Sequence, residues 1–107
     1  IYRFEQVRQG MIRCATDATL GSARYYFADY PITVAAKTGT PQASGGALDA
    51  TFIAYAPADD PEIAVAVVEN GYSGQRGAPV ARAVFNEYFG LNEEDIQQQS
   101  TDGQLIP

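Results

Sequence analysis

Four consecutive residues, Lys37-Thr38-Gly39-Thr40, set a cation and two hydroxyls around a position with no side chain. An ammonium and threonine hydroxyls are donors suited to a carboxylate, and a glycine between them lets another backbone come close. The pattern suits a wall that holds an anionic, extended ligand, and a solvated strand end is the plainer reading of the same four residues. A phosphate-binding loop is the other common use of a Lys-Thr pair, but it needs glycine immediately before the lysine and again six residues before it. Those positions hold Ala36 and Pro31, so the loop amides cannot wrap around a phosphate.

Other chemistries are excluded by what the chain lacks. It has no histidine and one cysteine, Cys14, which rules out a Cys/His zinc cage, a Ser-His-Asp triad and a Cys-His dyad. Cys14 is expected to be a small buried apolar side chain. Glu93-Glu94-Asp95 lacks the alternating oxygen ligands and glycine of a calcium loop, so neither metal nor cofactor is expected. Seven Lys and Arg against thirteen Asp and Glu give a net charge of -6, which repels a phosphate backbone, and no nucleic-acid partner is expected.

The elements that position the motif are read from periodicity. At 107 residues and 46% apolar content the chain builds one core, and with no run of eighteen apolar residues it is expected to be soluble. It opens Ile1-Tyr2-Arg3-Phe4, without an initiator Met, and is expected to be cut from something longer. Phe4, Val7, Met11 and Ile12 predict a helix from Phe4 to about Cys14, with Gly10 expected where another backbone packs close. Thr16 to Ser22 reads as a loop, and the backbone of Ala23 to Tyr30 stays open. Tyr25, Tyr26 and Tyr30 are expected to cover a core in preference to forming a carbohydrate platform.

A strand is predicted from Pro31 or Ile32 into Lys37-Thr38-Gly39-Thr40. Pro41 to Leu48 reads as a mobile connection. Thr51 to Ala56 and Ile63 to Val68, joined across Pro57-Ala58-Asp59-Asp60-Pro61, form the clearest strand-turn-strand signal. Pro79 suits a first helical position, and Val80, Ala81, Val84, Phe85, Tyr88 and Phe89 make an apolar stripe that Gly90 stops. Arg76 and Arg82 flank that helix start and are read as surface residues. The expected fold is α+β, a partial antiparallel sheet of about three strands with an N-terminal and a C-terminal helix on one face. Residues 91–107 are expected to form an acidic, disordered tail.

Ala35-Ala36-Lys37-Thr38-Gly39-Thr40-Pro41-Gln42, then Phe52-Ile53-Ala54-Tyr55-Ala56-Pro57, then Pro61 through Gly71, closely resemble the C-terminal part of a penicillin-binding protein transpeptidase domain. Val7 through Met11 resembles the helix before that family's third strand. Gly21-Ser22-Ala23 stands where many members have Gly-Thr-Ala, and Ala78 through Phe89 resembles the closing helix. The resemblance spans about residues 4 to 90, with residues 1–90 taken as the domain portion, and is nearest to the class B, monofunctional transpeptidases. The fold is then a fragment of the β-lactamase and transpeptidase type.

The family signature joins S-x-x-K, an S-x-N element and K-T-G. Here Ser22, Ser44, Ser73 and Ser100 are followed three residues on by Tyr25, Ala47, Arg76 and Gly103, and two residues on by Arg24, Gly46, Gln75 and Asp102. Only K-T-G is present. The resemblance implies a parent that acylates a serine with the D-Ala-D-Ala end of a peptidoglycan stem peptide and passes the acyl group to an amine. It implies that Lys37 tunes the field at the nucleophile, that Thr38 and Thr40 bind the carboxylate of substrate or β-lactam, that Gly39 permits close approach, and that the Thr40 amide is an oxyanion donor. The expected partners are stem peptides, β-lactams and the missing N-terminal part of the domain, with self-association through exposed strand edges. The parent is expected at the extracytoplasmic face of the bacterial membrane. A non-catalytic β-lactam sensor or interaction module of the same fold is the alternative.

Overall fold

A computed structural model describes residues 2–17, 19, 21–39, 49–70 and 77–97. The elements run α1 (Tyr2–Thr16), α2 (Arg24–Phe27), β1 (Ala35–Gly39), β2 (Asp49–Ala56), β3 (Ile63–Asn70) and α3 (Gly77–Phe89). The strands form an antiparallel sheet of order β1-β2-β3, with the helices packed against it, so the expected α+β architecture is the observed one.

Alternation along β2 sets the layers. Phe52, Ala54 and Ala56 are buried while Ile53 is half exposed, as the two-residue period of a strand requires. Register carries that side across the sheet: Phe52 pairs with Val67 and Thr38, and Ala54 with Val65 and Ala36. On this face sit Phe27, Phe52 and Phe85, all at most 1% exposed. The Phe27 ring lies 6.3 Å from that of Phe52 and 6.0 Å from that of Phe85, so an aromatic anchor ties the four-residue α2 to the core. The opposite face carries Lys37, Ile53, Tyr55, Ala64, Ala66 and Val68, of which Ile53 and Val68 are 49% and 68% exposed.

β1 starts later than its β-prone residues suggest. Residues 31–34 lie outside the strand; in the register of the sheet Thr33 falls opposite Pro57, just past the end of β2, and a proline has no N–H to donate. The amide of Ala58 bonds the Thr33 carbonyl instead, at 2.8 Å. Arg8 ties α1 to the same turn, donating to the Ala58 carbonyl at 3.0 Å and pairing with Glu5 and Asp59. Hydrogen bonds from Arg8, then Gln9, hold the Glu5 carboxyl down to about 2.

Three expectations are corrected. Among the described residues a side chain at Gly10 would meet nothing within 4 Å, so no described backbone packs there; the close approach is at Gly21, where a Cβ would lie 2.6 Å from the Arg13 carbonyl oxygen and 2.7 Å from that of Cys14. Tyr25 does not cover the core: it is 88% exposed, with its ring edge-on to that of Tyr26, whereas Tyr30 is buried. The acidic segment after Gly90 is not all solvated tail: residues 93–97 are helical and Ile96 is 6% exposed within the core. Residues 98–107 and the expected mobile connection from Pro41 to Leu48 lie outside the described residues.

That segment is fastened by Arg82, which donates to both Glu93 carboxylate oxygens at 2.7 and 2.9 Å and to the Tyr26 carbonyl. Its guanidinium carbon also lies 5.0 Å from the centre of the Tyr30 ring. The Arg82 hydrogen bonds hold the Glu93 carboxyl below its ordinary 4.5, and burial lifts the Tyr30 hydroxyl to about 12. A carboxyl lowered on folding stabilises the fold above its unfolded value, and the contribution is lost as pH falls through the folded value. With Glu93 49% exposed, solvent screening limits this to about 0.2 to 1 kcal/mol. Glu93→Gln is therefore expected to lower the melting temperature at pH 7 and to narrow the loss of Tm between pH 5 and pH 2. An acid limb as steep as that of the parent chain would refute this role.

Candidate functional site

β1 is an edge strand among the described residues, since β2 occupies one side and no strand the other. Alternation divides the motif. Lys37 stands on the open side of the sheet, opposite Ile53, and is exposed; its Nζ donates to the Thr38 carbonyl. Thr38 faces the other way and is half buried. Gly39 pairs with Thr51, whose Oγ1 would stand 2.5 Å from a Cβ built there, so a larger residue would require the Thr51 hydroxyl to rotate away. Thr40 lies outside the described residues.

Behind the strand a row of small polar atoms joins β1 to α1. Thr38 Oγ1 is 3.2 Å from Ser22 Oγ, which is 3.1 Å from Cys14 Sγ. Cys14 is thus not the inert buried side chain expected; it is half exposed, and its thiol takes part in a hydrogen bond. Gly21 places Ser22 by letting the loop press onto the last carbonyls of α1, and the Ala23 amide bonds the Cys14 carbonyl at 2.9 Å.

These parts surround an open cavity of about 370 Å³ lined by Gly10, Arg13, Cys14, Asp17, Ser22 and Lys37, among others. That volume lies within the range of small-molecule sites, roughly 300 to 1,000 Å³. Ser22, Arg13 and Asp17 were not singled out as site residues from the sequence; the Gly21-Ser22-Ala23 match was the available signal for Ser22. Arg82 belongs to the Glu93 pair and takes no part here. Among the described residues no group of three His, Cys, Asp or Glu is placed to hold a metal ion, and no helix is long and apolar enough to cross a membrane.

Residues 2–90 match the family model for the penicillin-binding protein transpeptidase domain. The chain belongs to this family. Its transpeptidase sequence is 34% identical to penicillin-binding protein 2A of Bacillus subtilis, over 92% of the chain and 16% of that protein. It is 29% identical to the peptidoglycan D,D-transpeptidase MrdA of Escherichia coli, over 91% of the chain and 18% of the relative. The fold is similar to that of Pseudomonas aeruginosa PBP2 in complex with WCK 5153, with TM-score 0.70 and 37% identity over 83% of this chain and 20% of that one. Streptococcus pneumoniae penicillin-binding protein 2B follows with TM-score 0.62 and 28% identity over 81% of this chain and 16% of that one. The chain therefore spans about a sixth to a fifth of the length of these relatives.

Proposed function

We propose that this chain is the C-terminal, substrate-binding portion of a peptidoglycan D,D-transpeptidase, inactive by itself. The supporting observation is the strand that carries Lys37 over an open cavity, with one edge unpaired among the described residues, in a chain whose four serines all lack lysine at the third position after them. In the complete enzyme a serine Oγ attacks the penultimate D-Ala carbonyl and expels the terminal D-Ala. An amine of a neighbouring stem then attacks the acyl-serine, forming the cross-link and returning the hydroxyl.

Lys37 contributes positive potential where the anionic stem terminus and the nucleophile meet, and the unpaired edge of β1 lines up the stem backbone by strand addition. Thr38 keeps a donor for the substrate carboxylate if Cys14 donates to Ser22 and Ser22 to Thr38, since a hydroxyl accepts and donates at once. Thr40 supplies the second hydroxyl and, through its amide, one oxyanion donor, a contribution of roughly 3 to 4 kcal/mol to the transition state. The other oxyanion donor is the amide of the serine itself, so this chain holds half of that site. The open sheet face around Ile53 and Val68 is the surface that the serine-bearing part of the domain covers, and in its absence exposed edges favour self-association. The parent works at the extracytoplasmic face of the membrane.

Incubation with a fluorescent penicillin tests this. The isolated chain is expected to form no covalent adduct on a denaturing gel, while the complete polypeptide is labelled. A labelled band from residues 1–107 alone would overturn the reading.

A further inference from the structure

The cavity beside Lys37 holds a second cation with no assigned role. Arg13 lines it, is exposed, and its guanidinium has no hydrogen bond or ion pair among the described residues. Asp17 is the carboxylate on the lining, and its Oδ1 accepts the Thr19 amide at 2.8 Å. The described lining thus carries two cations and one anion on a chain of net charge -6, a local reversal of sign that favours an anionic ligand. Gly10, one turn before Arg13, lines this cavity and the neighbouring depression formed with Glu5, Gln6 and Gln9, and a side chain there would meet nothing within 4 Å among the described residues. The glycine leaves Arg13 open to ligands from both depressions.

We propose that Arg13 is a specificity residue that binds a second carboxylate of the ligand, distinct from the carboxylate taken by Lys37 and its threonines. The inference rests on the substrate-wall reading above and adds a preference for dicarboxylate ligands. A guanidinium suits this task because its planar fork accepts a carboxylate in two parallel hydrogen bonds.

The test is equilibrium binding to the 107-residue chain, followed by NMR shifts of the ¹⁵N-labelled protein, with benzylpenicillin (one carboxylate) and carbenicillin (a second on its side chain) as probes. The wild-type chain is expected to bind carbenicillin about three- to tenfold more tightly, the range for a partly exposed charge pair. Arg13→Ala is expected to bring the ratio of the two affinities to about one, and Arg13→Lys to keep part of the preference. A ratio unchanged in Arg13→Ala, or a ratio of one in the wild-type chain, overturns the proposal. Lys37→Ala reports on the underlying reading: weakening of both ligands supports it. If Lys37→Ala weakens neither while Arg13→Ala removes the preference, the Lys37 assignment alone fails. If neither penicillin binds the wild-type chain, both fail.

Discussion

Replacing Lys37 by alanine in the complete transpeptidase is expected to slow acylation by a β-lactam at least ten- to a hundredfold, roughly the effect of losing one charge-assisted hydrogen bond of about 1.5 to 3 kcal/mol. The fold should persist, because Lys37 is exposed on a strand that is at the sheet edge among the described residues, where its side chain bonds its neighbour's carbonyl. Thr40→Ala should slow acylation less, since the amide of residue 40 survives the change. Stopped-flow acylation with circular dichroism as the folding control measures both. A solvated strand end with no role in binding predicts near-wild-type rates, and an unchanged rate for Lys37→Ala would remove the assignment of the whole motif.

Phe27→Ala is expected to cost about 3 to 5 kcal/mol, the usual range for truncating a buried phenylalanine. The ring is 1% exposed and meets Phe52 nearly parallel, at 17°, while Phe85 and Tyr30 approach it edge-on. α2 is a single turn whose N-cap, Ala23, makes no side-chain cap bond, so beyond the Arg82 bond to the Tyr26 carbonyl its packing against the core rests largely on this contact. A domain of this size has roughly 5 to 15 kcal/mol of total stability, and each kcal/mol shifts Tm by roughly 4 to 8 °C. Thermal unfolding should therefore fall by about 15 °C or more, and Phe27→Leu, which refills most of the volume, by much less. A drop under about 5 °C would show that the three rings do not act as one core.

The β2–β3 hairpin and α3 were legible because each satisfies its own period: buried and open residues alternate along β2, and Ala81, Phe85 and Phe89 recur on one helical face. The start of β1 was not legible, because strand identity there depends on whether β2 still offers a partner, and β2 ends where Pro57 takes over. Ile96 was hidden by composition: one apolar residue amid Glu93, Glu94, Asp95 and Gln97 carries no period, and its burial depends on Arg82, eleven residues before Glu93. At the site, Lys37 was legible as a residue type. Its neighbours Arg13 and Ser22 were not, since α1 and the following loop reach β1 only through tertiary packing, and an exposed arginine on a helix looks like any solvated one.

The row from Cys14 through Ser22 to Thr38 has a consequence for how such a protein changes under drug selection. Ser22 and Cys14 line the cavity and also belong to this row, so a hydroxyl lost at Ser22 would remove both a lining group and the partner that orients the Thr38 hydroxyl at 3.2 Å. On the function proposed above, substitutions at these two positions would alter inhibitor capture with Lys37, Thr38 and Thr40 all unchanged, so resistance would accumulate beside a motif that stays intact.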